Sequence, residues 1–278
     1  MKNPIIETGG CHYYTQTGLP RYGATLREAR KENYLPSITT ILKAWPAGYL
    51  ADWIAFELLK ARHNNPPTGD EGAPVVPGEE LTDAQRDYFK VILDKSNAIR
   101  DAAGDRGNEI HAGGEAMLLG KKWNKKDSSL VHLRNWFDEN LDGKPYWTER
   151  SLVNIDLKIA GRADALIKTK GDERPILIDF KGRGFDHGPR KGWRAKRYTK
   201  DLIQLAFYAS TMLDPPRIAN LYVHREGECP VEFVEYSDEA REQAFEMVRH
   251  VVGIWYYEKK YDPDINVDEI LEHLERVA

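Results

Sequence analysis

Two carboxylates and an ammonium group carry the first chemical signal in this chain. The stretch RPILIDFKGRG (174–184) climbs through four apolar-leaning residues and then delivers Asp179 and Lys181 two positions apart. Side chains alternate across a strand, so these two share a face. Upstream, LKIAGRADALIKT (157–169) carries Asp164, and KGDER forms the turn between the segments. A turn centred near Gly171 and Asp172 sets Asp164 opposite Asp179, and the hairpin then gathers Asp164, Asp179 and Lys181. Like charges facing one another across a sheet repel. They persist where a cation sits between them or a proton is shared. Hard carboxylate oxygens suit Mg²⁺ or Mn²⁺, and such an ion acidifies bound water and clamps a phosphate. A one-residue slip in register would separate the pair. The plain alternative is a strand that ends at the surface, where charges are ordinary.

The elements around this hairpin read as an α/β (α+β) core. YWTERSLVNI from Tyr146, the segment 157–169 and PILIDFK predict three strands. A helix follows at about 198–213, then strands IANLYVH and VEFVEY, then an amphipathic helix at about 238–259. Before the sheet the chain is mainly helical. Ser37 or Thr39 caps a helix that Pro46 interrupts, with Trp53, Phe56 and Leu59 on one face. The Pro/Gly-rich stretch 64–80 reads as an exposed loop. A long helical stretch follows, broken around Gly104 to Gly107, and another helix lies near 128–141. The first thirty residues resist assignment. The expectation is one domain over 1–278: a helical part to 145, a core at 146–260 with a small mixed central sheet flanked by helices, and a helical tail at 261–278.

Totals narrow the function. The net charge of -4 does not itself suggest a nucleic-acid partner. Two cysteines, Cys11 and Cys229, make neither a disulfide framework nor a four-thiolate metal or iron–sulfur site. A reducing, cytoplasmic compartment is expected, and no run approaches the ~20 apolar residues that span a bilayer. One local patch departs from the average. In KGRGFDHGPRKGWRAKRYTK (181–200), Lys181, Arg183, Arg190, Lys191, Arg194, Lys196, Arg197 and Lys200 crowd against a single acid, Asp186, with Phe185 and Trp193 interleaved. Basic side chains match backbone phosphates and aromatic rings stack on unpaired bases; the alternative is a solvated basic loop. Trp53, Trp136 and Trp255 read as core or interface. Glu149, at the start of the sheet, is a candidate accessory ligand.

Together GRADALI, LIDFKG and a helix with QLAFYA, preceded by GNEIH (107–111) and PSITTIL, resemble the PD-(D/E)xK nuclease superfamily. The likeness is to its RecB-like exonuclease branch, which includes mitochondrial genome maintenance and phage exonucleases. The resemblance implies a restriction-endonuclease-like core and one or two Mg²⁺ or Mn²⁺ ions. His111 would ligate metal through an imidazole nitrogen, Asp164 and Asp179 through carboxylates, and Phe180 through its carbonyl. Lys181 would position or deprotonate the attacking water, and Gln204 would hold the lysine or a phosphate, with Tyr208 one turn later. Glu115 would sit one turn from His111, but Gly113 and Gly114 between them imply a kinked helix or a close neighbour. The implied activity is DNA exonuclease action on single strands or duplex ends in phage or bacterial recombination or repair, with a recombination protein as candidate partner. A structure-specific endonuclease, a non-catalytic DNA-binding module and a small-phosphoester hydrolase remain the alternatives.

Overall fold

The computed structural model describes residues 12–45, 58–67, 69, 80–188, 192–268, 270 and 272. Pro46, Trp53, Phe56, Arg190, Lys191 and most of the 64–80 stretch lie outside the described residues. In chain order the elements are β1 (Tyr13–Tyr14), β2 (Pro20–Arg21), α1 (Leu26–Glu32), β3 (Leu35–Pro36), α2 (Ile38–Ile41), α3 (Asp83–Leu118) and α4 (Ser128–Asn140). Then come β4 (Trp147–Asn154), β5 (Ile159–Ile167), β6 (Ile176–Arg183), β7 (Phe185–Gly188), β8 (Gly192–Ala195), α5 (Thr199–Ser210), β9 (Arg217–His224), β10 (Glu232–Tyr236) and α6 (Asp238–Lys259). The chain divides into two compact units, Met1–Trp45 with Gly107–Ala278, and Pro46–Arg106.

The first unit is built on a five-stranded mixed sheet in the order β10-β9-β6-β5-β4. Only β6 and β9 run parallel. Parallel neighbours need a crossover, and the connection that supplies it carries α5 across the sheet beside β6. Central strands β5 and β6 are covered on both faces, which is why they read as near-continuous apolar runs. On one face Ile178, Phe180, Leu221 and Val223 pack against Ile110, Leu130, Leu133 and Phe137 of α3 and α4. On the other, Leu177 and Ile218 meet Ile203, Phe207, Val248 and Trp255 of α5 and α6. Each such side chain contributes about 1.5–3 kcal/mol on burial.

Within residues 13–36, a region largely opaque in sequence, the chain forms the small sheet β2-β1-β3 and α1. Distant contacts hold them: Gln16 Nε2 donates to the Asp264 carbonyl at 2.7 Å, and the Tyr261 hydroxyl donates to the Ala29 and Tyr34 carbonyls. Ser37 caps α2 as expected, accepting from Thr40 N at 3.1 Å. The break expected at Gly104 to Gly107 is absent, and α3 runs from Asp83 to Leu118. Interior glycines cost ~1 kcal/mol each but leave the backbone hydrogen bonds intact, which is why the helix continues. In the second unit, Tyr88 Oη donates to the Asn65 carbonyl at 2.8 Å, tying α3 to a helical segment at 58–64 in which Leu59 is exposed. Of the expected helical tail, 261–266 is irregular and 267, 268, 270 and 272 are helical. No helix among the described residues is long and apolar enough to cross a membrane.

Candidate active site

The β5–β6 ladder pairs Ile167 with Ile176, Leu166 with Leu177 and Ala165 with Ile178. This is the register of a turn near Gly171, whose φ of 81° only glycine adopts without strain. One step further, Asp164 stands at the level of Asp179. Regular pairing stops there, and the Phe180 N–H is donated to Asp164 Oδ2 at 2.6 Å instead. The β4–β5 ladder skips the same level: Thr148 pairs with Ala165, then Arg150 with Ala163, leaving Glu149 and Asp164 out. Glu149 has a left-handed φ of 48°, which costs a non-glycine residue about 1–2 kcal/mol. Alternation slips at this point too. Ala163 joins the α5–α6 side of the core and Ala165 the α3–α4 side. Three acids from three adjacent strands therefore stand where the sheet loses its regularity, and backbone strain of this kind collects at functional sites.

Helix α3 brings the imidazole. His111 Nδ1 lies 3.1 Å from Asp164 Oδ2, and its ring meets Phe180 edge-on at 5.9 Å. Three glycines allow this approach. A Cβ on Gly114 would fall 2.8 Å from Phe180 Cε2, one on Gly113 2.5 Å from Leu130 Cδ2, and one on Gly182 3.0 Å from Ile110 Cδ1. Of the two implied consequences of Gly113 and Gly114, the close neighbour is the one found.

Lys181 Nζ sits 2.6 Å from Asp179 Oδ2 and donates to Gln204 Oε1 at 3.0 Å; Gln204 Nε2 donates in turn to Tyr208 Oη at 2.9 Å. Among the described residues the Lys181 ammonium is the one charged partner of that buried Oδ2. His111, Glu149 and Asp164 each offer one ligand atom, all within 4.8 Å of one another. Glu149, read from the sequence as an accessory, thus joins the histidine and the first aspartate, while Asp179 is drawn toward the lysine. Glu115 is half-buried and outside this group. Two participants escaped the sequence reading. Arg162 Nε pairs with Glu149 Oε2 at 2.7 Å and its Nη1 donates to Tyr22 Oη at 3.1 Å. Arg162 was visible two residues before Asp164; nothing in the sequence announced Tyr22.

Burial and charge pull these groups apart. Burial raises the Asp179 carboxyl to about 6 against the opposing pull of Lys181, and raises Glu149 to about 7, with Asp164 adding to the rise and Arg162 resisting it. Asp164 goes the other way: burial pushes it up, but His111, Lys181 and the Phe180 N–H hold it below its ordinary value. Burial disfavours charge on His111 and Lys181, yet the neighbouring carboxylates hold both above their ordinary values.

Glu149, Asp179 and His111 all bind protons more tightly folded than unfolded. Their contribution to stability is therefore present at low pH and lost as pH rises through about 6 to 7 and beyond. Metal-free protein is expected to melt higher at pH 5.5 than at pH 7.5, with Glu149 alone worth about 1–3 kcal/mol. Calorimetry in EDTA checks this. Glu149→Gln should flatten part of the difference, and a pH-independent melting temperature would refute the burial argument.

The basic run does not form a free loop. It folds into the β7–β8 hairpin, with Phe185 paired to Ala195 and His187 to Trp193. Part of its charge is paired, with Asp201 and Glu232 from elsewhere in the chain and with Asp186 inside the run. Arg183 Nη2 bonds the buried Asp201 at 2.8 Å and its guanidinium lies over the Tyr198 ring. Arg197 and Arg194 both reach Glu232, and Lys196 reaches Asp186. Trp193 is half-buried between His187 and His224. Arg183, expected from the sequence as a DNA contact, is thus ion-paired with a buried carboxylate. Tyr208, also expected from the sequence near DNA, is 2% exposed, with its ring where a Cβ on Gly161 would sit, 2.7 Å from Cε1. Its hydroxyl accepts from Gln204 Nε2 and so braces that side chain. Trp255 is core and Trp136 packs on Phe233, as expected.

No protein-family model matches this sequence, and no curated protein matches it. Among solved structures, one described as a "Putative exonuclease" from Eubacterium rectale is similar over 88% of this chain and 89% of its own, with a TM-score of 0.40 and 13% identity.

Proposed function

We propose that this chain is a divalent-metal-dependent deoxyribonuclease with PD-(D/E)xK machinery, acting as an exonuclease on single strands or duplex ends. On this reading it serves phage or bacterial recombination or repair in the cytoplasm, beside a recombination partner protein. The observation that carries the reading is the convergence of Asp164, Asp179, Lys181 and Gln204 with His111 where β5 and β6 part. The sequence resemblance names the same residues.

The donor set fits a hard divalent cation. It offers carboxylate oxygens and an imidazole nitrogen, all within 4.8 Å of one another. Asp164, Glu149 and His111 would hold the ion with Asp179 beside them, and it would supply charge to offset the phosphoryl oxygens and acidify water. The remaining work falls to the chain. Lys181 keeps its proton, because three carboxylates raise its pKa. It therefore acts as a donor that orients the attacking water and offsets charge on the phosphoryl group, and not as the base. Gln204, braced by Tyr208, sets the direction of the ammonium.

The test is incubation with end-labelled single- and double-stranded linear DNA and with circular DNA, in Mg²⁺ and in EDTA. Loss of label from linear DNA in Mg²⁺ alone, with circles spared, is the expected result. Cut circles would make it an endonuclease, and binding without cleavage a DNA-binding module. Cleavage in EDTA would overturn the metal site.

A further inference from the structure

We infer that the turn joining α3 to α4 is a second nucleic-acid-binding site, a cationic groove that grips the phosphate backbone away from the scissile position. It rests on the nuclease reading above. The stretch GKKWNKK (120–126) places Lys121, Lys122, Lys125 and Lys126 around Trp123 and Asn124. Lys121, Lys122, Lys125 and Trp123 line an open groove of about 800 Å³. All four lysines are exposed, and among the described residues none has a carboxylate within ion-pair distance. The contrast is with the β7–β8 hairpin, whose Arg194, Lys196 and Arg197 are spoken for by Glu232 and Asp186.

Local structure does not account for these charges. Lysines after a helix end favour its dipole, and that suffices for Lys121 and Lys122. Lys125 and Lys126 instead precede Asp127, the N-cap of α4, where the dipole opposes a cation. The turn is also pre-shaped. Gly120 at φ 66° closes α3, with its N–H donated to the Met117 carbonyl and the Lys121 N–H to that of Ala116. Asn124 Oδ1 accepts from Lys126 N, and the Asn124 carbonyl from Asp127 N. A half-buried indole in the groove wall adds a stacking surface for a base. Seven helical steps separate His111 from Leu118 at the end of α3, about 10 Å, or about three base pairs along a duplex axis.

The test compares wild type with the triple variant Lys121→Gln, Lys122→Gln, Lys125→Gln, using fluorescence anisotropy of a labelled single-stranded 30-mer in EDTA from 50 to 200 mM salt. Cleavage of linear DNA in Mg²⁺ by the wild type is measured separately. The variant is expected to bind at least about tenfold more weakly at 50 mM salt, with a log–log salt slope lower by about 2. Equal affinity and slope in a wild type that cleaves DNA would overturn the groove and leave the nuclease reading standing. A wild type that neither binds nor cleaves DNA would overturn both. Displacement of the oligonucleotide by polyglutamate as readily as by unlabelled DNA would overturn the assignment in favour of an acidic protein.

Discussion

On the proposed nuclease reading, Asp179→Asn is expected to lower single-turnover cleavage of DNA in saturating Mg²⁺ by about a thousandfold and to leave DNA binding in EDTA intact. The substitution keeps the size of the side chain and removes only its charge. Asp179 is 1% exposed, so that charge is held out of water at a cost that burial makes plain. It is tolerable for a group that meets a cation. Losing one pre-organised electrostatic group of this kind costs about 10²–10³ in rate, and on the proposed reading a carboxylate beside the ion also helps to acidify its water. Lys181 also loses its partner at 2.6 Å, so the remaining activity should show an altered pH profile. Manganese titration followed by electron paramagnetic resonance gives a readout independent of turnover, and weaker binding is expected. Undiminished cleavage would remove Asp179 from the site.

Gly114→Ala is expected to lose up to about a hundredfold in cleavage and about 1–3 kcal/mol of stability. In an open helix position the same change would stabilise by about 0.5–1 kcal/mol. Here the added methyl meets Phe180 Cε2 at 2.8 Å and Cζ at 3.0 Å. The ring has little freedom: it is 1% exposed, with His111 on one side and Phe137 at 6.1 Å on another. Overpacking a filled core costs about 1–3 kcal/mol. The strain falls on the catalytic geometry, because Phe180 N–H holds Asp164 and His111 lies three residues before the glycine. A shift near 1 Å costs about 10²-fold in rate. Gly104→Ala, in open space, is the control and should gain stability. A Gly114→Ala protein that melts higher and cleaves normally would refute the close-packing account.

Much of the site was legible because hairpins are local. KGDER sets the turn, period-2 alternation sets the faces, and together they put Asp164 at the level of Asp179 in the register observed. The strands begin and end within a residue or two of their apolar runs, since those runs are what the helices bury. Glu149 shows where such reasoning stops. WTERSLVN reads as an uninterrupted strand, and glutamate does not advertise a left-handed backbone. The ion pairs of the basic run were hidden for a related reason. Its charges were counted against their sequence neighbour Asp186, whereas Asp201 and Glu232 reach it through the crossover and the next hairpin.

What the sequence alone determined is the set of carriers: two aspartates in register, a lysine on the same face and a glutamine on the helix that follows. Each relation spans one turn or one crossover, and covalent geometry leaves it few alternatives. The tertiary structure decided which partners those groups keep. It turned Tyr208 inward against Gly161, spent Arg183 on Asp201, brought Glu149 and His111 to Asp164, and left the lysines of 121–126 without an ion-pair partner among the described residues. Those outcomes depend on close approach between segments far apart in the chain. Such approach is set by the shapes of glycine-lined gaps and buried rings, and no local pattern of residue types records it.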